Sequence, residues 1–147
     1  MPADPKTLYR LIVEIRGAFH DLAEFSSAAN ADLAITAAMR AVMEYLDGNG
    51  AEAVPNIARA KNVSRQHIQQ LADALVETGL AKWKDNPRHK RSALLTLTAE
   101  GKKRFAEIRR REARALAEIA AKLDETDIQT ASDAVSALRA VVNERQD

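Results

Sequence analysis

The sequence predicts a mainly α fold, a winged helix-turn-helix with a small β-hairpin wing and long helices at both ends. Three observations predict it. Apolar residues recur at helical spacing through the first and last thirds of the chain. Between them, a short Pro-initiated helix, an Asn-containing turn and a Ser-capped helix follow one another over residues 54–78. Two short strand-like runs then enclose a loop carrying Arg88, His89, Lys90 and Arg91.

Taken in order, Leu8, Leu11, Ile12, Ile15, Phe19 and Leu22 mark an amphipathic helix over about 6–26, with a break at Ser26-Ser27-Ala28-Ala29-Asn30. Thr36 caps the next helix, whose apolar stripe is Met39, Val42, Met43 and Leu46; Asp47-Gly48-Asn49-Gly50 ends it. Pro55 suits a first helical turn, where no N–H donor is needed, so a short helix spans about 55–61 with Ile57 and Ala58 inward. Lys61-Asn62 turns the chain, because Asn tolerates the left-handed conformation. Ser64 caps a helix with Ile68, Leu71, Ala72 and Leu75 on its core side, and Gly79 stops it. Leu80–Lys84 and Ala93–Leu97 are strands, with Asp85-Asn86-Pro87 opening the loop between them. Thr98 caps a long helix that contains Phe105, Ile108, Leu116, Ile119 and Leu123. Asp124 caps a last one carrying Ile128, Val135, Leu138 and Val142.

A chain of 147 residues suits a single domain over 1–147, with the winged motif at about 33–98 and terminal helices at about 6–26 and 99–145. With 46% apolar residues but only one Trp, two Tyr and three Phe, the core is aliphatic and Ala-rich, as in packed helices. The absence of cysteine excludes disulfides and thiolate metal sites. There is no membrane-spanning run and no basic-then-apolar leader, so the expected location is cytoplasmic.

The net charge of +1 is unevenly spread. Residues 1–58 carry −4, residues 59–91 carry +5 and residues 92–147 balance at zero, so the positive charge sits on the two-helix and hairpin segment. Local charge density governs how a surface meets a polyanion. On a helical wheel, Gln66, Gln69, Gln70 and Asp73 oppose the core side of the Ser64 helix, with Arg65 at the flank near its start. Gln pairs bidentately with adenine, Arg with guanine or phosphate, and the helix start offers free N–H groups. Taken alone, three glutamines fit a solvated surface helix better. The preceding helix and turn, of helix-turn-helix length, favour entry into a major groove. Arg88 and Lys90 have no acid nearby in sequence and suit phosphate or minor-groove contacts, while Arg91 is expected to pair partly with Asp85. Trp83 is expected to pack beneath the hairpin. His20, His67 and His89 fall in three separate elements, and no P-loop or metal-ligand spacing is present, so neither catalysis, a cofactor nor a metal is expected.

These residues together resemble the MarR family of winged-helix transcriptional regulators over nearly the whole chain. The resemblance is carried by Ile35-Thr36, Met39-Arg40-Ala41-Val42, Val54-Pro55-Asn56-Ile57-Ala58, Val63 through Gln69, Gly79-Leu80, Asp85 through Ser92 and Leu97-Thr98-Ala99-Glu100-Gly101. It departs in the wing, where His89 stands in place of the family's usual Asp before two basic residues. The resemblance implies a homodimer built by the terminal helices and straddling a pseudo-palindromic operator on double-stranded DNA. It implies DNA contacts from Ser64, Arg65, Gln66, Gln69 and Gln70 in the major groove and from Arg88, Lys90 and Arg91 at the flank. It also implies a repressor released by a small aromatic or phenolic effector, outside the peroxide-sensing branch because cysteine is absent. The exposed apolar stripes support the dimer independently. The alternative is a winged-helix module that binds another protein without reading DNA.

Overall fold

A computed structural model describes residues 1–145; the last two residues of the expected domain, 146 and 147, lie outside the described residues. Two compact units are present, one of residues 1–110 and one that starts at Arg111. In the first unit, Asp4 caps Pro5–Ala29 (α1), its carboxylate accepting from the Thr7 N–H at 3.1 Å. The break expected at Ser26–Asn30 comes only at its last residue, Asn30. No Gly or Pro interrupts the run, Ala28 and Ala29 favour helix, and the helix ends only where the Asn30 side chain donates back to the Ser26 carbonyl at 3.0 Å. A 3-10 turn (Ala31–Leu33) and Ala34, in the left-handed region at φ 53°, lead into the next helix.

Thr36 caps Ala37–Asn49 (α2) through its hydroxyl, which accepts from the Met39 N–H at 3.1 Å, and Met39, Val42, Met43 and Leu46 are buried as the spacing requires. Gly50 closes α2 at φ 77°, a conformation that an L side chain would strain. The two residues Glu52–Ala53 (β1) then form a strand that the sequence reading did not contain. They are too few to show any periodicity and owe their conformation to pairing with a strand forty residues away.

Val54–Lys61 (α3) and Arg65–Glu77 (α4) form the two-helix motif. Asn62 takes the left-handed conformation at φ 54°, its N–H serving the end of α3, and the Ser64 hydroxyl accepts from the His67 N–H at 3.1 Å. Ile68, Ala72 and Leu75 are buried on the inner side of α4, while Leu71 is half-buried. Ala81–Lys84 (β2) and Leu94–Leu97 (β3) pair antiparallel from Ala81↔Leu97 to Lys84↔Leu94, and β1 lies on the other side of β3, giving the order β1-β3-β2.

The core of this unit gathers Met43, Ile57, Ile68, Leu75, Leu95 and Ile108, each almost fully buried. It fixes α4 against α2, α3 and the sheet, and so fixes which side of α4 meets solvent. Thr98 opens Ala99–Ala120 (α5) by accepting from the Gly101 N–H at 3.0 Å, and its own hydroxyl donates to the Gly79 carbonyl at 2.6 Å.

α5 ends at Ala120, not at Leu123 as expected. Residues 121–123 turn so that Asp124 can cap Glu125–Glu144 (α6), its carboxylate accepting from the Thr126 and Asp127 N–H groups at 2.9 and 3.2 Å. In the second unit Leu116, Leu123, Ile128 and Val141 are exposed. No described helix is long and apolar enough to cross a membrane.

Candidate nucleic-acid interface

Burial of Ile68, Ala72 and Leu75 turns the opposite side of α4 outward, and Arg65, Gln66, Gln69 and Gln70 are all exposed on it. Ser64 is occupied as the cap, so its contribution is to fix the start of α4. The Gln69 side-chain amide donates to Asp73 at 2.9 Å, one helical turn on.

Beside this surface stands the wing, residues 85–93. Two successive turns build its tip: the His89 N–H donates to the Asn86 carbonyl at 3.2 Å, and the Ser92 N–H to the His89 carbonyl at 3.1 Å. Asn86 ties the base of the loop, its amide donating to the Ser92 carbonyl at 3.0 Å while its side-chain oxygen accepts from the Arg88 N–H at 3.1 Å. The expected Arg91–Asp85 pair is not formed. Arg91 instead lines the groove toward α4, and the asparagine does the bracing. The signal for this brace was present as Asn86-Pro87-Arg88, an Asx-turn sequence, although it marked only a loop start in the sequence reading.

An open groove of about 550 Å³ runs between α4 and the wing, lined by Arg65, Gln66, Gln69, Trp83, Arg91 and Ser92 among others. A neighbouring recess of about 440 Å³ reaches Arg65, Asn56, Asn86 and His89. Four of the expected site residues therefore share one groove, while Gln70, Arg88 and Lys90 are exposed but do not line it. Trp83 does not pack beneath the hairpin as expected. Its side chain is 38% exposed and forms part of the groove wall. Ala81, two residues earlier on the same strand face, is buried, so that face leaves the core and reaches the groove at Trp83.

Arg65, Arg88, Lys90 and Arg91 form no ion pair among the described residues. Their charges are not neutralised within the unit, which leaves this side attractive to a polyanion. His67 and His89 are exposed, and no cluster of three or more His, Asp or Glu with metal-holding geometry occurs among the described residues. On a duplex-binding reading of this groove, Asn86→Ala leaves the net charge unchanged and is expected to weaken duplex binding about threefold to tenfold, the cost of two hydrogen bonds in an exposed loop. Fluorescence anisotropy with a labelled duplex measures it, and an unchanged affinity rules the brace out as a determinant.

Solved structures share this fold. A MarR family transcription regulator, SP03579, superposes with a TM-score of 0.87 at 22% identity, covering 95% of this chain and 92% of its own. The fold is that of the MarR regulators. MarR of Staphylococcus aureus, in complex with salicylate and kanamycin, aligns with a TM-score of 0.85 at 11% identity over 95% of both chains. MarR of E. coli gives 0.76 at 18% identity over 94% and 98%. In sequence, 50 residues are 46% identical to an uncharacterized protein of Mycobacterium tuberculosis, Rv2011c. That match spans 34% of this chain and 35% of the relative, so about a third of the curated relative's length is covered. No family model matches the chain. Within the MarR fold, α3 and α4 are the helix-turn-helix and the 85–93 loop is the wing.

Proposed function

We propose that this chain is a transcription regulator of the MarR type that reads double-stranded DNA as a homodimer. One observation supports this most: an amide-rich helix face and unpaired cations from helix and wing border one open groove. In this reading α4 enters the major groove with Gln66, Gln69 and Gln70 toward base edges and Arg65 toward a guanine or phosphate. Ser64 orients the helix start, and Arg88, Lys90 and Arg91 hold the adjoining minor groove or backbone. The whole of 1–147 acts as one MarR-like domain in the cytoplasm, with the winged motif at about 33–98 and the terminal helices mediating dimerisation.

Exposed apolar side chains support the dimer. Phe19 and Leu22 on α1 are 77% and 56% exposed, and Leu116 and Ile128 are about half exposed in the second unit, surfaces that a second copy covers. Two-fold symmetry then presents two α4 helices to half-sites about 34 Å apart. The regulator acts as a repressor and is released by a small aromatic or phenolic effector. The salicylate bound to the S. aureus protein supports that ligand class, and release requires only that the effector favour one dimer geometry over the other.

The test is a titration against DNA from upstream of its own coding sequence and against scrambled duplex, over a range of salt. Tighter binding to the former at every salt concentration is expected; equal affinity throughout removes sequence reading. Trp83, the one tryptophan of the chain, supplies a second readout. Acrylamide quenching of its fluorescence falls when specific duplex fills the groove, whereas unchanged quenching in a fully bound sample places the DNA elsewhere.

A further inference from the structure

The outward side of α4 carries Asp73 beside its amides, with Glu77 one turn further on at the end of the helix. Asp73 is exposed there, forms no ion pair among the described residues, and accepts from the Gln69 amide at 2.9 Å. A carboxylate on a surface meant for phosphates and bases costs affinity through like-charge repulsion. What it supplies in return is orientation. An ionised carboxylate only accepts hydrogen bonds, so it compels the Gln69 side chain to turn its NH₂ toward Asp73. One N–H is thereby used, and Oε1 and the second N–H remain for a base edge. A free glutamine rotates through either orientation and presents donor and acceptor in either order.

Resting on the DNA-reading proposal above, we infer that Asp73 is a positioning residue for base selection, holding Gln69 in the orientation that pairs with adenine. Its carboxylate touches no base. It lowers affinity for all duplexes slightly and raises the difference between the right base pair and the wrong one, because a fixed amide offers only one donor–acceptor pattern. The same i,i+4 pairing occurs on α6, where Gln129 donates to Asp133 at 3.0 Å. That pair carries no base-reading role here and serves as an internal control.

The experiment compares the full-length protein with its Asp73→Asn, Gln69→Ala and doubly substituted forms, and with Asp133→Asn. A preferred duplex is first selected from a random pool with the unaltered protein, and every single-base variant of it is then titrated at fixed salt. Asp73→Asn is expected to lower discrimination at one base pair per half-site by about tenfold while scrambled duplex binds more tightly. In the Gln69→Ala background the Asp73 change leaves the base profile unaltered, and Asp133→Asn leaves both profile and affinity unaltered. A merely structural role for Asp73 would weaken all duplexes together and lower the melting temperature. An unaltered profile in Asp73→Asn, with a selective parent protein, overturns this assignment and leaves the DNA reading standing. A parent protein that prefers no duplex overturns both.

Discussion

Exchanging Arg88, Lys90 and Arg91 together for Ala is expected to weaken binding to every duplex on the order of a thousandfold at 0.1 M salt. None of the three is paired among the described residues, so the change removes charge without breaking an ion pair described there. In a dimer it removes six cations. If each neutralises a phosphate, the slope of log K against log salt becomes shallower by about 5. The ratio between specific and scrambled duplex changes little, because phosphate contacts position the protein without reading sequence. Gln66→Ala has the opposite signature: a small loss of affinity, an unaltered salt slope and relaxed preference at one base pair. Salt-dependent titrations of both variants separate grip from reading. Equal slopes for the wing variant and its parent would remove the wing from the interface.

The largest effect on stability is expected at Gly101. A Cβ there would run into the backbone of Leu80, chiefly its carbonyl oxygen, which also accepts from the Thr98 N–H at 3.1 Å. Backbone has no rotamer with which to move aside, so Gly101→Ala forces α5 away from the exit of α4 and strains the Thr98 hydroxyl between Gly79 and Gly101. Overpacking of this kind costs about 3 kcal/mol. For a domain of this size that corresponds to about 10 °C in Tm. Gly48→Ala serves as the control. Its added methyl meets nothing and lies within a helix, so stability is held or slightly raised. Thermal unfolding by circular dichroism decides, and equal Tm values for the Gly101 variant and its parent would contradict the close approach.

What could be read from the sequence was local chemistry. Thr36, Ser64 and Asp124 cap helices because a side-chain oxygen three residues or fewer ahead of a free N–H is a short-range relation. Asn62 turns left-handed for the same kind of reason. The stripes of α2 and α4 follow from period alone, and they set which residues of α4 face outward. The features missed depend on distant parts of the chain. β1 exists through its pairing with Leu94 and Leu95, Trp83 reaches the groove because of where the sheet lies beside α4, and Gly101 is required by Leu80. Arg91 was expected to find the nearest acid in sequence, but the turns at 86–92 carry it toward α4 and leave the brace to Asn86. α1 is a different case: of the stretch Ser26–Asn30, which reads as a break, all but Asn30 stays helical, because neither Gly nor Pro interrupts it.

Central to this account is the seating of two α4 helices in successive major grooves, each flanked by a wing. Hydroxyl-radical footprinting of the protein on a duplex selected from a random pool tests it most directly. Two symmetric sets of protected sugars are expected, their centres about one helical turn apart, with outer protections that disappear when Arg88, Lys90 and Arg91 are replaced. A single unpaired footprint, or uniform protection unaltered by the loss of those three cations, would contradict it.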